Sequence, residues 1–260
     1  MEVATLFSGS SGNSIYVGTK ETKVLVDAGS SGKRIAQALA DINIDIKEIR
    51  AILVTHEHVD HIKGLGVLSR RYDIPIYASP KTWDELACIG KIADHNRREF
   101  TYGMELGDMK VEFFKTSHDA VQPVGMAFFH RDGHVGIATD TGCVTSGIKK
   151  YLTGADTLVF EANHDETMLR EGPYPYYLKK RIAGDQGHLS NTASAKALKE
   201  MISGKSRHIV LAHLSEVNNN PETAFNSVAE VLQEAGIDET VELTVAPRYE
   251  AHKVIKIKRM

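Results

Sequence analysis

Apolar residues recur along this chain in two rhythms. Short runs of strand length, rich in Val, Ile, Leu and Phe, alternate with longer stretches where apolar positions return every three or four residues. The first half predicts strands over residues 2–6, 14–17 and 23–26, separated by the turn-forming "SGSSGN" and "TKET". A helix is predicted over 31–41, where Ile35, Ala38 and Leu39 share one face. "RAILVT" is a continuous apolar run, as expected of a strand covered on both faces. Helices over 62–72 and 83–92 flank the strand "IPIYAS". Strands over 110–116, 124–130 and 134–139 follow, the last two joined by the Asp-Gly turn in "RDGH". The strands "TLVFEAN" and "HIVLAH" bracket a helix over 190–202, which begins with Ser-Asn-Thr. A helix over 221–235 and the strands "VELTVA" and "VIKIK" close the chain.

Strands in two batches, each followed by helices that close over them, predict an α+β chain. The expected form is an αββα sandwich, two facing mixed β-sheets with helices outside, in a single domain over residues 1–260. Periodicity alone leaves a doubly wound α/β fold open.

Composition narrows the function classes. With 42% hydrophobic and 25% charged residues, the chain has the make-up of a soluble globular protein. A formal charge of -3 excludes a globally basic nucleic-acid binder but leaves room for a local basic groove. Two cysteines are too few for a disulfide framework and suggest a reducing compartment. No apolar stretch approaches the ~20 residues needed to cross a bilayer, and the N-terminus lacks the features of a signal peptide. The expectation is a cytoplasmic protein with no membrane partner. Of its 12 histidines, His56, His58, His61, His118, His188 and His213 sit at or beside the ends of predicted strands.

Those strand ends carry the chemistry. In "ILVTHEHVDHIKG", His56, His58, Asp60 and His61 fall within six positions directly behind an apolar run. His56 and His58 are two apart, so an extended backbone points both the same way. Asp60 and His61 follow where the chain turns towards a helix, which aims them at a second point nearby. Imidazole and carboxylate suit borderline and hard divalent ions. Two such ions about 3.5–4 Å apart form a two-metal hydrolytic site.

"THEHVDH" resembles the HxHxDH signature of the metallo-β-lactamase superfamily. Asp27 in "VLVDAG", His118 in "KTSHDA", Asp140 in "GIATDTG" and His213 in "IVLAHLS" follow in that superfamily's order. "FSGSSGNS", "TDTG", "EANHD", "GDQGHLSN" and "LAHLSEVNN" resemble its YycJ/WalJ (VicX) subgroup, and the resemblance spans essentially the whole chain. It implies an αββα fold, two divalent metal ions (zinc, manganese or iron) and 5′-to-3′ exonuclease action on DNA by a metal-bridging hydroxide. Carried over residue by residue, His56, His58 and His118 would hold one ion and Asp60, His61 and His213 the other, with Asp140 bridging. Asp60 would also take part in catalysis. Asp27 would orient a ligand histidine or the corner backbone.

His188, in "QGHLSNTAS", lies at a predicted helix start, where backbone N–H groups favour an anion. The resemblance gives it contact with the scissile phosphate or protonation of the leaving oxygen, and leaves Ser190 as the helix cap. Asn163 and His164 in "EANHD" are read as supporting a ligand or contacting substrate. Residues 174–188 are read as a loop in which three tyrosines accompany Lys179, Lys180 and Arg181. That mixture suits DNA that is single-stranded or has a free 5′ end. "SGSSGNS" is read as a Gly-Ser turn rather than a phosphate cradle, and "GSSGKR" lacks the GxxxxGK[ST] spacing of a phosphate loop. A metal-dependent hydrolase of a small ester, thioester or cyclic phosphodiester shares the ligand set. A regulatory partner of a two-component system is the alternative outside enzymes.

Overall fold

In the computed structural model, which describes residues 1–204, 206–237 and 240–258, the strands pair into two seven-stranded mixed sheets. The first runs β14 (Ile255–Lys256), β1 (Glu2–Phe7), β2 (Ser14–Gly18), β3 (Lys23–Val26), β4 (Ile49–Leu53), β5 (Ile76–Ala78) and β6 (Arg97–Glu99). The second runs β13 (Glu242–Val245), β12 (His208–Ala212), β11 (Thr157–Glu161), β10 (Gly133–Ala138), β9 (Val124–His130), β8 (Met109–Lys115) and β7 (Gly103–Leu106). Each sheet is antiparallel at one side and parallel at the other. The parallel pairs include β3 with β4 in the first sheet, and β10, β11 and β12 in the second.

Three apolar cores separate four layers, so the αββα expectation holds. Alternation along a strand assigns side chains to different cores. In β4 and just after it, Ala51 and Leu53 enter the core between the sheets, whereas Ile52 and Val54 face the helices outside. In β11, Val159 lies between the sheets, and Leu158 and Phe160 face the outer helices. Helices α1 (Gly32–Asp41), α3 (Leu65–Tyr72) and α4 (Pro80–Glu85) cover the first sheet. Helices α5 (Ser146–Leu152), α8 (Asn191–Met201) and α9 (Pro221–Glu234) cover the second. Among the described residues no helix is long and apolar enough to cross a membrane.

The differences from the predicted elements have local causes. The helix expected over 62–72 is split into a short turn, α2 (Val59–Ile62), and α3. Gly64 lies between them, its N–H donating to the Ala28 carbonyl at 2.7 Å, and a Cβ there would meet the Ser30 carbonyl at 2.4 Å. The second predicted helix ends at Glu85 and continues as a 3-10 turn, Leu86–Ile89. The β9–β10 hairpin forms with its turn one residue early, at Arg131 and Asp132, where the Asp132 carboxylate takes a hydrogen bond from the N-terminal ammonium at 3.1 Å. The expected loop over 174–188 contains a helix, α7 (Tyr176–Ile182), none of whose residues is buried; α6 (Glu166–Glu171) precedes it.

The first and second sheets meet the chemistry at one edge, the carboxyl ends of their parallel strands, where α/β folds place ligands. Gly29 is pinned there, since a Cβ on it would lie 1.6 Å from the Asp60 carbonyl oxygen and 2.5 Å from the Asn13 nitrogen. Gly29→Ala is therefore expected to destabilise the fold by at least about 1–3 kcal/mol, seen as a Tm several degrees lower. Gly204→Ala, where an added Cβ meets nothing within 4 Å, is the control expected to leave Tm nearly unchanged.

Candidate metal centre

The first sheet contributes a corner held by one carboxylate. Asp27 follows β3 with φ 61, a left-handed conformation uncommon outside glycine. Its Oδ1 accepts from the Thr55 N–H at 2.8 Å, and its Oδ2 accepts from Thr55 Oγ1 and His61 Nδ1, both at 2.7 Å. A carboxylate that only accepts keeps a proton on His61 Nδ1, so in the neutral ring Nε2 offers its lone pair inwards. Asp60 and His61 lie on α2, and Asn13 ties them to the neighbouring turn: its Nδ2 is 3.2 Å from Asp60 Oδ2 and 3.1 Å from His61 Nε2. His56 and His58 precede the turn, with ring centroids 4.6 Å apart.

The second sheet supplies the opposite wall. Asp140, two residues past β10, has φ 56, and His213, directly after β12, has φ 58. Glu161, the last residue of β11, is 0% exposed and organises this wall. Its Oε2 accepts from the Thr141 N–H at 2.9 Å, while its Oε1 lies 2.7 Å from His188 Nδ1 and 3.4 Å from His213 Nδ1. Asn163 Nδ2 donates to the His213 carbonyl at 2.9 Å, and Ser8 Oγ accepts from the His213 N–H at 2.7 Å. His118, beyond β8, donates from Nδ1 to the Gly187 carbonyl at 3.0 Å, which leaves its Nε2 3.3 Å from His58 Nδ1.

Candidate ligand atoms within 4.8 Å of one another fall into overlapping groups: His56, His58 and His118; Asp60, His61 and His213; His56, His61 and Asp140; and Asp140, Glu161, His188 and His213. Asp140 touches both halves, its Oδ1 3.3 Å from His213 Nε2 and 3.7 Å from His118 Nε2, its Oδ2 3.4 Å from His61 Nε2. His56 Nε2, His213 Nε2 and Asp140 Oδ2 are buried with no hydrogen-bond partner. Burying such groups without hydrogen bonds is costly, so the donor set fits divalent cations. The electrostatics agree. Burial, reinforced by His61, His118 and the other neighbouring rings, holds His56 well below its usual range, in the neutral form that ligates. Burial works against the charged form of His61 too, but Asp140, Asp27 and Asp60 prevail and raise it to about 9. His213 is likewise raised, by Asp140 and then Asp60 and Glu161 against burial. Asp60 is lowered, because His61 and His213 outweigh its burial. Without metal, protons on His61 and His213 balance these carboxylates; a cation would replace them.

All seven expected ligands and Asp27, Asn163 and His188 thus converge at one edge of the sandwich. Ser190 caps α8, its side chain accepting from the Ala193 N–H. Arg181 reaches the rim, its Nε 2.5 Å from Asp119 Oδ2, with Asp119 Oδ1 3.4 Å from His118 Nε2. Three of the predicted residues line a different part of the surface. His164 is buried beside α8, and with Lys179 and Lys180 it lines a separate cleft of about 300 Å³. Lys179 Nζ donates to the Arg170 carbonyl at 2.7 Å. Glu161, Asp119 and Asn13 escaped sequence reasoning. Glu161 had a usable signal, since it ends the apolar run "TLVFE" just as Asp27 follows "KVLV".

A protein with this sandwich and this edge of histidines and aspartates belongs to the metallo-beta-lactamase superfamily, whose profile matches residues 8–213, and within it to the YycJ/WalJ subgroup. The chain is 46% identical over 239 residues to exodeoxyribonuclease YycJ of Bacillus anthracis, covering 91% of this chain and 90% of that protein. It is 42% identical over 245 residues to exodeoxyribonuclease WalJ of Streptococcus pneumoniae, covering 92% and 91%. Among solved structures, the metallo-beta-lactamase fold protein YhfI from Bacillus subtilis superposes with a TM-score of 0.72 at 16% identity, covering 97% of this chain and all of that one, which supports the fold alone.

Proposed function

We propose that this chain is a metal-dependent exonuclease that degrades DNA from a free 5′ end. The observation that carries the reading is His188: a partly exposed imidazole whose Nδ1 is held by the buried Glu161 carboxylate at the edge where the candidate ligands gather. The two relatives named exodeoxyribonucleases, each matched over nine-tenths of its length, support DNA as the substrate.

In this reading His56, His58 and His118 would hold one divalent ion, Asp60, His61 and His213 the second, and Asp140 both. When bound, the ions supply Lewis-acid polarisation of a phosphate and activation of water. The remaining chemistry belongs to the chain. Asp27 and Asn163 fix the His61 ring and the His213 backbone, so that the ring nitrogens converge without rearrangement during turnover. Asp60, with its side chain 25% exposed, is open towards substrate and accepts a hydrogen bond from the attacking water. Glu161 accepts the His188 Nδ1–H, which leaves Nε2 to contact a phosphate oxygen or to deliver a proton to the leaving oxygen.

Protein loaded with defined zinc, manganese or iron, incubated with 5′- or 3′-labelled DNA and RNA, a thioester and a small cyclic phosphodiester, tests the reading. Stepwise loss of nucleotides from the 5′ end of DNA is expected. Turnover of the thioester alone would make it a small-molecule hydrolase.

A further inference from the structure

A second groove adjoins the candidate centre and lies apart from the tyrosine-rich helix α7. It encloses about 440 Å³, begins at His118 and Gln186, and reaches Tyr102 along the ends of β8 and β9. Its walls are fixed by the backbone: the Tyr102 carbonyl accepts from the Phe113 N–H at 2.9 Å, and the Val121 N–H donates to Glu57 Oε1 at 2.8 Å. Glu57 lies between His56 and His58, so this wall is anchored to the ligand corner itself.

The fixed charges that line the groove are lysines, with the Glu57 carboxylate behind one wall. Lys81 and Lys115 line it, and no aspartate or glutamate does, in a chain of formal charge -3. Lys81 and Lys115, like most lysines of the chain, form no ion pair among the described residues, so both ammonium groups are available to a phosphate. Tyr102 stands at the groove with 84% of its surface exposed. The basic run on α7 is more committed, since Lys179 is bonded to the Arg170 carbonyl and Arg181 to Asp119.

We propose that this groove holds the strand leading away from the reacting phosphate, with a base stacked on Tyr102 and backbone phosphates at Lys81 and Lys115. The assignment rests on the nuclease reading and deepens it by naming a single strand as the substrate in this groove. A duplex offers phosphates to the lysines but no free base face to the tyrosine; an unpaired strand offers both. An unpaired cationic groove in an otherwise acidic chain also draws a polyanion to this side of the molecule.

The test compares kcat/KM for a single-stranded 20-mer with that for bis(p-nitrophenyl) phosphate, too small to reach Tyr102, in the metal-loaded protein and its variants. Tyr102→Ala is expected to lower that ratio about 10-fold, through KM for the oligonucleotide, and Tyr102→Phe to restore it. The double variant Lys81→Ala/Lys115→Ala is expected to reduce the slope of log KM against log salt by about 1.4, near 0.7 for each phosphate contact on a single strand. If wild-type protein degrades DNA while both variants keep its ratio and slope, the groove assignment is overturned and the nuclease reading stands. If wild-type protein turns over the small diester but not DNA, the nuclease reading fails, and the groove assignment with it.

Discussion

Asp140→Ala is expected to remove bound metal and phosphodiester turnover together, with kcat/KM falling roughly 10³-fold or more, since metal ions supply several kcal/mol of transition-state stabilisation. The carboxylate reaches both halves of the centre, with Oδ1 towards His213 and His118 and Oδ2 towards His61. No other carboxylate among the described residues shares a ligand group with both His56 and His213. Removing it leaves His61 and His213, whose protonated forms it stabilises, buried with less counter-charge. Because φ is 56 at this position, alanine adds backbone strain, and Asp140→Asn separates the two effects, as asparagine tolerates the left-handed region. Metal content by mass spectrometry alongside kcat/KM reads the outcome. An asparagine variant that keeps both ions and full turnover would show that Asp140 bridges nothing. A protein that acted only as a regulatory partner would keep its binding in either variant.

His188→Ala is expected to lower kcat on DNA by roughly 10²–10⁴-fold while the protein retains its metal, the magnitude of a lost general acid. His188 belongs to a ligand-capable group, but its Nδ1 is bonded to Glu161, and its contact with Asp140 is longer, 3.9 Å. The loss should be much smaller on a p-nitrophenyl phosphodiester, whose leaving group departs without a proton. Glu161→Gln should cost about 10–100-fold, because the amide still occupies the space but no longer draws the imidazole proton to Nδ1. Equal losses on both substrates would assign His188 to phosphate binding rather than to proton delivery. Loss of metal from His188→Ala would make it a ligand instead.

Much of this was legible because the ligands end apolar runs. "RAILVT" before His56, "GIATD" at Asp140 and "IVLAH" at His213 are strands whose last residues must emerge from the core, and a polar residue there faces whatever the edge binds. What sequence left open was which polar residue at each edge does the work. In "FEANHD", alternation puts Glu161 and Asn163 on one side and His164 on the other, and nothing in the run itself ranks Asn163, His164 and Glu161. His164 turns to α8, while Glu161 links three elements of the centre. β6 escaped because its residues, Arg-Arg-Glu, are all exposed and carry no apolar rhythm, as suits a charged strand at a sheet edge. α7 escaped for the same reason, with no buried face to generate a helical period. The left-handed residues at Asp27, Asp140 and His213 were invisible as well. Non-glycine residues hold that conformation only where surrounding contacts enforce it, and here those contacts are the hydrogen bonds of the centre itself.

In the proposed function, two ions held by residues of both sheets would make this chain a DNA-degrading enzyme. Metal-free protein titrated with manganese or zinc, with degradation of 5′-labelled single-stranded DNA followed at each step, tests it most directly. Turnover is expected to appear with metal and to saturate at two equivalents per chain. Saturation at one equivalent, or DNA degradation independent of metal, would contradict it.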